Sequence, residues 1–261
     1  MAIKPLDLKG KRILVTGGAS GIGDASAALF TDLGAEVVIA DIDAEKLEAA
    51  QVRTGAIAHT SCDVVKEADV DAMIEFALDE MGGLDGVLNC AGVADAVSAA
   101  IDQPVDTWQR IIDINLRGTY LVCRAAGRHM LEQESGSIVN LSSVNGTAGW
   151  PRRSAYGATK AAVAATTRSL ASEWGDRGVR VNALAPAYIA TPMVSALIAD
   201  GRVDTRRIED RTPMKRFGTP TEVGQAAAFL LSDWSAYITG ALLPVDGGWL
   251  AYGGAGDPAT F

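Results

Sequence analysis

The chain has 261 residues, of which 48% are hydrophobic, and a formal net charge of −9. This length and composition fit one large α/β domain with a substantial core better than two small domains. The negative balance, with no basic stripe, argues against a nucleic-acid partner. Because no apolar run is long enough to cross a bilayer and the N-terminus lacks a signal-peptide core, we expect a cytoplasmic protein with no membrane partner.

Short β-branched runs alternate with alanine-rich amphipathic stretches, and seven of the runs predict strands. The predicted strands are Arg12–Thr16, Glu36–Asp41, Ile57–Cys62, Gly86–Asn89, Ser137–Leu141, Arg180–Leu184 and Leu242–Val245. The predicted helices are Gly23–Leu33, Ala44–Ala50, Glu67–Met81, Thr107–Gln133, Ala155–Trp174 and Thr221–Leu231. Strands that are apolar on both faces are typical of parallel sheets covered on two sides. The order therefore predicts a Rossmann-type α/β fold: a doubly wound, seven-stranded parallel sheet with helices on both faces, in a single domain over residues 1–261.

A glycine-rich turn, Thr16-Gly-Gly-Ala-Ser-Gly-Ile-Gly23, follows the first predicted strand and opens a helix. Glycines permit a tight turn, and the helix N-terminus meets the pyrophosphate of a dinucleotide. The turn alone is weak evidence, because a simple strand-to-helix turn can have this sequence. Asp41 ends the second strand, where a carboxylate binds the adenosine ribose and repels a 2′-phosphate. Since the turn contains no lysine or arginine, the sequence favours NAD over NADP.

Two further segments lie just past predicted strands, at the edge of the sheet where ligands bind. Asn89–Gly92 ends the fourth strand, and Asp63 follows the third, where it could accept a hydrogen bond from the adenine amino group. A helix cap or turn residue at Asp63 explains the spacing almost as well. Asp24, directly after the glycine turn, suits the helix dipole but not a nearby phosphate.

Tyr156 and Lys160 are four residues apart in a predicted helix, so their side chains share one face. A phenol beside an ammonium group makes tyrosine a usable acid and base near neutral pH. A phosphate-binding turn and an activated phenol together predict a cofactor-dependent redox enzyme.

The chain resembles the short-chain dehydrogenase/reductase family in its common single-domain form, over nearly its whole length. The matching motifs are Thr16–Gly23, Asn89–Gly92, Asn115, Ile138–Ser143, Tyr156–Lys160, Pro186–Thr191 and Asp246–Gly248. The resemblance implies a catalytic tetrad of Asn115, Ser143, Tyr156 and Lys160. It also implies a homotetramer, for which the small-residue run Ala161–Leu170 and the glycine-rich run Val245–Gly254 would supply buried surface.

Each member of the implied tetrad has a role in the family. Tyr156 exchanges a proton with the substrate oxygen while a hydride moves to or from nicotinamide, and Ser143 (in preference to Ser142) hydrogen-bonds that oxygen. Lys160 and the positive nicotinamide lower the pKa of the phenol, and Lys160 also holds the nicotinamide ribose. Asn115 holds a water that links Lys160 to solvent, although a buried amide that satisfies a helix kink is a compatible alternative.

The turn, the strand ends and the resemblance together give a predicted set of cofactor-binding residues. They are Gly17, Ser20, Gly21, Ile22, Gly23, Asp41, Ile42, Asp63, Val64, Asn89, Ala91, Gly92, Tyr156, Lys160, Pro186, Ile189 and Thr191. The chain departs from the family at Pro186-Ala187, where relatives have Pro-Gly, and alanine is less free at positive φ.

The region that selects the substrate is less defined. Residues 187–216 form a long, charged connection, which predicts a substrate lid near 187–216; a surface insertion without a role is the alternative. The predicted substrate-binding residues are Ser143, Asn145, Trp150, Arg152, Tyr156 and Tyr188. Asn145, with Arg152 and Arg153 nearby, favours a ligand with several oxygens, such as a sugar or polyol. Trp150 and Tyr188 fit a ring equally well.

The leading prediction is an NAD-dependent dehydrogenase or ketone reductase acting on a polyol, a sugar or another oxygenated secondary alcohol. One alternative is the same chemistry on an apolar cyclic alcohol, such as a terpenoid or steroid. A second is an NAD-binding regulatory protein without turnover, which the intact Ser143, Tyr156 and Lys160 set argues against. No metal site is expected, because Cys62, Cys90 and Cys123 lack metal-ligand spacing and are interpreted as reduced core thiols.

Overall fold

A computed structural model of the chain describes residues 5–95, 97–199, 204–254 and 257–258. In these residues seven parallel strands form one sheet with the order β3-β2-β1-β4-β5-β6-β7. The strands are β1 (Arg12–Thr16), β2 (Glu36–Asp41), β3 (Ala58–Ser61), β4 (Gly86–Asn89), β5 (Gly136–Leu141), β6 (Val179–Pro186) and β7 (Leu242–Val245). The predicted fold class and all seven strands are confirmed, and the strand order reverses between β1 and β4.

Helices cover both faces of this sheet. They are α1 (Gly21–Asp32), α2 (Ala44–Thr54), α3 (Glu67–Met81), α4 (Val105–Ile112), α5 (Thr119–Glu132), α6 (Ser154–Trp174), α7 (Pro192–Ala199), α8 (Thr205–Arg211) and α9 (Pro220–Leu231). Within the described ranges, no helix is both long and apolar enough to cross a membrane.

The alternation of side chains along β1 shows how the two halves of the core form. Leu14 packs with residues of α3, α5 and α6 on one face, whereas Ile13 and Val15 pack with residues of α1 and α9 on the other. All three side chains are buried, because successive residues of a strand point to opposite faces and both faces are covered.

The predicted single helix Thr107–Gln133 is wrong in one respect, because a π-helical turn, Asp113–Gly118, separates α4 from α5. The hydroxyl of Thr119 donates to the main-chain oxygen of Asn115 at 2.9 Å. Gly118 lies against Val64, where a Cβ atom would approach the valine side chain to 2.7 Å. The wider turn places Asn115 toward the sheet edge, and such turns are frequent at functional sites.

The connection from 187 to 216 is more regular than its sequence indicated, since it contains α7 and α8; residues 200–203 of the predicted lid lie outside the described residues. Its two ends are joined where the amide of Gly218 donates to Tyr188 at 3.0 Å and the amide of Ala190 donates to Gly218 at 2.8 Å. The connection therefore leaves the edge of the sheet and returns to it, with its two ends hydrogen-bonded to each other.

Candidate active site

A cavity of about 410 Å³ lies at the carboxyl ends of the strands, beside the reversal in strand order. Ligands of doubly wound sheets bind at this position. Of the predicted cofactor residues, its wall contains Gly17, Ser20, Gly21, Ile22, Gly23, Asp41, Ile42, Asp63, Val64, Ala91, Gly92, Tyr156, Lys160, Pro186, Ile189 and Thr191. Three of the four predicted tetrad residues line the cavity: Ser143, Tyr156 and Lys160.

The glycine turn forms a cradle that side chains would fill. Gly17 has a φ of +65°, and a Cβ atom there would lie 2.8 Å from the amide nitrogen of Ala91. A Cβ at Gly23 would lie 2.2 Å from the carbonyl oxygen of Gly17. Gly21 also has a positive φ, of +57°, and begins α1, whose first N–H groups have no intrahelical acceptor. This backbone fits a diphosphate.

The carboxylate of Asp41 is oriented by two main-chain amides at the edge of the cavity. Its Oδ2 accepts from Ala19 at 3.1 Å and its Oδ1 accepts from Asp43 at 3.1 Å. Together with Ile42 and Asp63 it forms the wall farthest along the sheet from the tetrad. A fixed carboxylate here can bind ribose hydroxyl groups and would repel a 2′-phosphate.

Asp24, the acidic residue that follows the turn, is neutralised by a basic partner. Its Oδ1 lies 2.6 Å from Nη2 of Arg53 on α2, and the same guanidinium reaches the carbonyl of Ala19 at 3.4 Å. The arginine therefore compensates the acidic charge that would oppose a phosphate at the start of α1.

Tyr156 and Lys160 both lie on α6 and both face the cavity. The ammonium nitrogen of Lys160 is 5.5 Å from the centre of the Tyr156 ring and donates to the carbonyl of Leu141 at 2.8 Å. Burial lowers the pKa of Lys160 to about 8. Burial raises the pKa of Tyr156, against which a hydrogen bond from Ser143 acts in the opposite direction. The protein alone therefore keeps the phenol protonated at neutral pH.

The two adjacent serines have different partners. Ser142 donates to the carbonyl of Lys160 at 2.7 Å, which commits its hydroxyl to holding α6 on the sheet. The Ser143 hydroxyl has a long contact of 3.4 Å to Pro186 and accepts from the amide of Asn145 at 3.2 Å. Ser143 also contacts the phenol of Tyr156. Its hydroxyl is therefore the one placed to share a substrate oxygen with the phenol.

Asn115 is fully buried and clamps the loop after β4. Its Oδ1 accepts from the amide of Val93 and its Nδ2 donates to the Val93 carbonyl, both at 2.8 Å. These bonds satisfy both ends of the side-chain amide. The π-helical turn therefore places Asn115 where it fixes the loop containing Gly92 and Val93, both of which line the cavity.

Six predicted site residues lie outside the set of described residues that line the cavity: Asn89, Asn115, Asn145, Trp150, Arg152 and Tyr188. Asn89 is buried beneath the cavity and donates to Asn140 at 2.9 Å. Arg152 is exposed and adopts a φ of +65°. Asn89 thus ties β4 to β5 inside the sheet, which the position at a strand end alone did not reveal.

Trp150 and Tyr188 instead belong to an aromatic cluster that the sequence did not predict. The Trp249 ring centre lies 6.3 Å from Trp150 and 5.1 Å from Tyr188, and Phe217 lies 6.0 Å from Tyr188. The Arg211 guanidinium sits 4.5 Å above Trp249 and donates to its carbonyl at 3.1 Å. The cluster joins the segment after β7 to α8 and to the loops after β5 and β6.

The sequence also missed two features of the site that no motif reveals, an ion pair and the position of two cysteines. Asp95 and Arg153, far apart in the chain, form an ion pair of 2.7 Å beside Tyr156. Cys62 and Cys90, which were interpreted as core thiols, also line the cavity, and burial raises the pKa of each thiol to about 12. Both thiols therefore stay protonated at neutral pH.

A family model described as enoyl-(acyl carrier protein) reductase matches residues 17–250. The 3β-hydroxysteroid dehydrogenase 1 of Eggerthella lenta is 41% identical, over 95% of this chain and 97% of the relative. The cis-4-hydroxycyclohexanecarboxylate dehydrogenase of Sinomonas cyclohexanicum is also 41% identical, over 91% and 96%. The D-threitol dehydrogenase of Mycolicibacterium smegmatis is 39% identical, over 93% and 94%.

Solved structures with either nicotinamide cofactor are also similar. An NAD⁺-bound xylitol dehydrogenase has a TM-score of 0.86 at 32% identity, covering 94% of this chain and 100% of its own. The structure of ElxO with NADP bound has a TM-score of 0.88 at 32% identity, covering 93% and 99%. The shared fold is thus found with both nicotinamide cofactors.

Proposed function

This chain belongs to the short-chain dehydrogenase/reductase family, and we propose that it is an NAD-dependent oxidoreductase of secondary alcohols and ketones. The observation that carries the proposal is one continuous cavity with Ser143, Tyr156 and Lys160 at one end and Asp41 at the other. A nucleotide cofactor and a reacting alcohol can both be accommodated along it.

The residues of the cavity fit a bound dinucleotide. The Gly17, Gly21 and Gly23 backbone would hold the diphosphate, Asp41 the adenosine ribose, and Lys160 the nicotinamide ribose. Asp41 is the feature that favours NAD, because a carboxylate that binds the adenosine ribose would repel a 2′-phosphate. When bound, the nicotinamide ring supplies the hydride acceptor or donor and, in its oxidised form, a positive charge.

The protein's own part in the reaction is to hold and move one proton. Ser143 donates to the substrate oxygen; the deprotonated Tyr156 accepts the alcohol proton, or in the reverse direction the phenol gives its proton to a carbonyl. Burial raises the pKa of Tyr156 in the protein alone. Loss of the phenol proton therefore depends on positive charge next to the ring. On α6 this charge comes from Lys160, whose ammonium nitrogen is 5.5 Å from the ring centre.

For the substrate, the geometry favours a secondary alcohol on a small, largely apolar ring. Val93, Ala94 and Val194 add apolar surface to the cavity wall. Trp150 and Tyr188 are held in the aromatic cluster next to the loops that carry Ser143 and Pro186. The positive charge of Arg153, which the sequence offered to a polar ligand, is paired with Asp95.

A polyol is the second candidate. Asn145 supports it, because the bond between its amide and Ser143 keeps this residue next to the catalytic serine. The similarity to a D-threitol dehydrogenase agrees with this choice.

The test is the initial rate of NADH formation with matched panels of cyclic secondary alcohols, linear polyols and sugars. Turnover mainly of ring alcohols supports the leading candidate, and turnover confined to polyols replaces it with the second. Reduction of NADP at the same rate as NAD contradicts the assigned role of Asp41. Binding of NADH without turnover of any secondary alcohol would indicate a regulatory protein instead.

We also propose that the chain assembles as a homotetramer. Trp234 and Tyr237, near β7, expose 52% and 104% of their surface in the single chain, which is unusual for aromatic side chains without a partner. Light scattering coupled to size exclusion should give about four times the mass of one chain. A stable monomer contradicts this proposal.

A further inference from the structure

The strongest feature not used so far is a buried ion pair next to the phenol. Asp95 lies in the loop after β4, and its side chain is completely inaccessible to solvent. Its Oδ1 lies 2.7 Å from Nη1 of Arg153, which also donates to the Asp95 carbonyl at 3.0 Å. A carboxylate at this depth is retained only when it is paired and hydrogen-bonded.

The second oxygen of this carboxylate reaches the helix that carries the phenol. The main-chain amide of Tyr156 donates to Asp95 Oδ2 at 3.3 Å. Arg153, which precedes α6, makes no capping hydrogen bond with its own side chain in the described structure. Asp95 therefore supplies, from another element, the negative group that the first turn of a helix favours.

The same loop is held a second time by the π-helical turn. Asn115 binds both main-chain groups of Val93, two residues before Asp95. Val93 and the next residue, Ala94, both contribute to the cavity wall. The loop and the first turn of α6, which carries Tyr156, thus form one connected unit.

We propose that the Asp95–Arg153 pair is a positioning device, which fixes the Tyr156 phenol against the cavity loop and balances the charge beside it. The proposal rests on the proposed function, because it concerns the proton that Tyr156 transfers. Neither residue is expected to touch the substrate.

The charges around the phenol make this role measurable. Arg153 lowers the pKa of Tyr156 and Asp95 raises it, so the two effects oppose each other. The other groups facing the phenol are Lys160 on its own helix and Ser143 at the end of β5, and Cys90 at the end of β4 lies next to Lys160. Removing one member of the pair leaves the other uncompensated.

The decisive experiment is the pH dependence of kcat/KM for alcohol oxidation at saturating NAD, whose acidic limb reports the phenol. Asp95→Asn keeps a hydrogen-bond acceptor but leaves Arg153 unpaired, so the limb should move to lower pH by about half a unit or more. Arg153→Gln leaves Asp95 unpaired and should move the limb to higher pH by a similar amount. The double variant restores neutrality and should return the limb close to its original position.

A matched ion pair elsewhere serves as the control. Arg12 and Asp85 form a two-bonded pair at the amino ends of β1 and β4, with distances of 2.8 and 2.9 Å. Asp85→Asn should destabilise the fold without moving the acidic limb. Single variants of the Asp95–Arg153 pair that lose rate without moving the limb, or that move it in the same direction, overturn the proposal.

A second measurement separates this proposal from the proposed function. Phenolate formation can be followed by ultraviolet difference absorbance, with each variant compared with its own Tyr156→Phe version, and requires no turnover. The same opposite displacements support the proposal even if no alcohol is oxidised, and unchanged titrations overturn it. If circular dichroism shows that Asp95→Asn does not fold, Arg153→Gln decides alone: an upward displacement supports the pair's role and none overturns it.

Discussion

The two ends of the cavity, the proposed cofactor end at Asp41 and the glycine turn and the proposed substrate end near Tyr156, are built from different kinds of contact. At the cofactor end, main-chain groups of the β1–α1 turn approach each other closely, and Asp41 is held by two amides within the same neighbourhood. At the substrate end, side chains from distant segments meet, such as Asp95 with Arg153 and Trp150 with Trp249.

The difference shows how one fold can keep a cofactor and change its substrate. A backbone cradle binds a diphosphate whatever side chains surround it, provided that glycine occupies the close approaches. A wall of packed side chains on connecting segments can be exchanged without disturbing the sheet. Relatives named for a steroid, a cyclohexane acid and threitol are consistent with this division.

The largest effect should come from removing the proton carrier without touching the cofactor end. Tyr156→Phe should lower kcat by about a thousandfold, or about 4 kcal/mol, because general acid–base chemistry is lost. The dissociation constant for NADH, measured by fluorescence titration, should change by less than about threefold. Tyr120→Phe, on α5, is the matched control and should keep full activity; substantial activity in Tyr156→Phe contradicts the proton assignment.

A substitution in the glycine turn should have the opposite effect to Tyr156→Phe, because it should weaken cofactor binding directly. Gly17→Ala places a Cβ 2.8 Å from the amide nitrogen of Ala91 at a φ of +65°. It should cost about 2–3 kcal/mol in unfolding free energy and weaken NADH binding by at least about tenfold. Gly175→Ala is the control, since no described atom lies within 4 Å of its Cβ and its φ is −63°. Unchanged NADH affinity in Gly17→Ala would place the diphosphate elsewhere.

The next prediction concerns the choice between NAD and NADP, which we assign to Asp41. Asp41→Asn keeps an acceptor for the Ala19 amide but removes the charge, so the preference for NAD over NADP in kcat/KM should fall by about tenfold or more. Asp43→Asn removes a carboxylate two residues away, outside the cavity, and should alter the ratio by less than about twofold. Equal ratios in both variants would show that another group discriminates.

The smallest effect concerns stability and pH. Burial lowers the pKa of Lys160 from 10.5 to about 8, so from pH 8 upward the unfolded chain holds more protons at this site than the folded chain. This group therefore stabilises the fold as pH rises through that window, by about 1 kcal/mol between pH 7 and pH 9. The buried cysteines have the opposite effect on stability at higher pH, so the contribution of Lys160 has to be isolated. The measurement is the difference in unfolding free energy, from urea titrations at several pH values, between wild type and Lys160→Met. A difference that is constant with pH contradicts the buried ammonium.

Local sequence determined the regular elements and the cofactor end. The helix Glu67–Met81 and four strands have the predicted bounds, and the Thr16–Gly23 turn has the predicted geometry, because periodicity and glycine spacing act over a few residues. The prediction of one continuous helix over Thr107–Gln133 was wrong, because a π-helical turn interrupts it. In that turn Gly118 packs against Val64, which belongs to a distant segment of the chain.

The substrate end was decided by tertiary structure. Asn145, Trp150, Arg152 and Tyr188 were chosen by nearness in sequence to the tetrad, yet none lines the cavity in the described residues. Which aromatic ring stacks on which, and which arginine pairs with Asp95, depends on segments far apart in the chain. The sequence thus determined the strands and the chemistry of the proposed cofactor end, whereas only packing between distant side chains determined the shape and charge of the proposed substrate end.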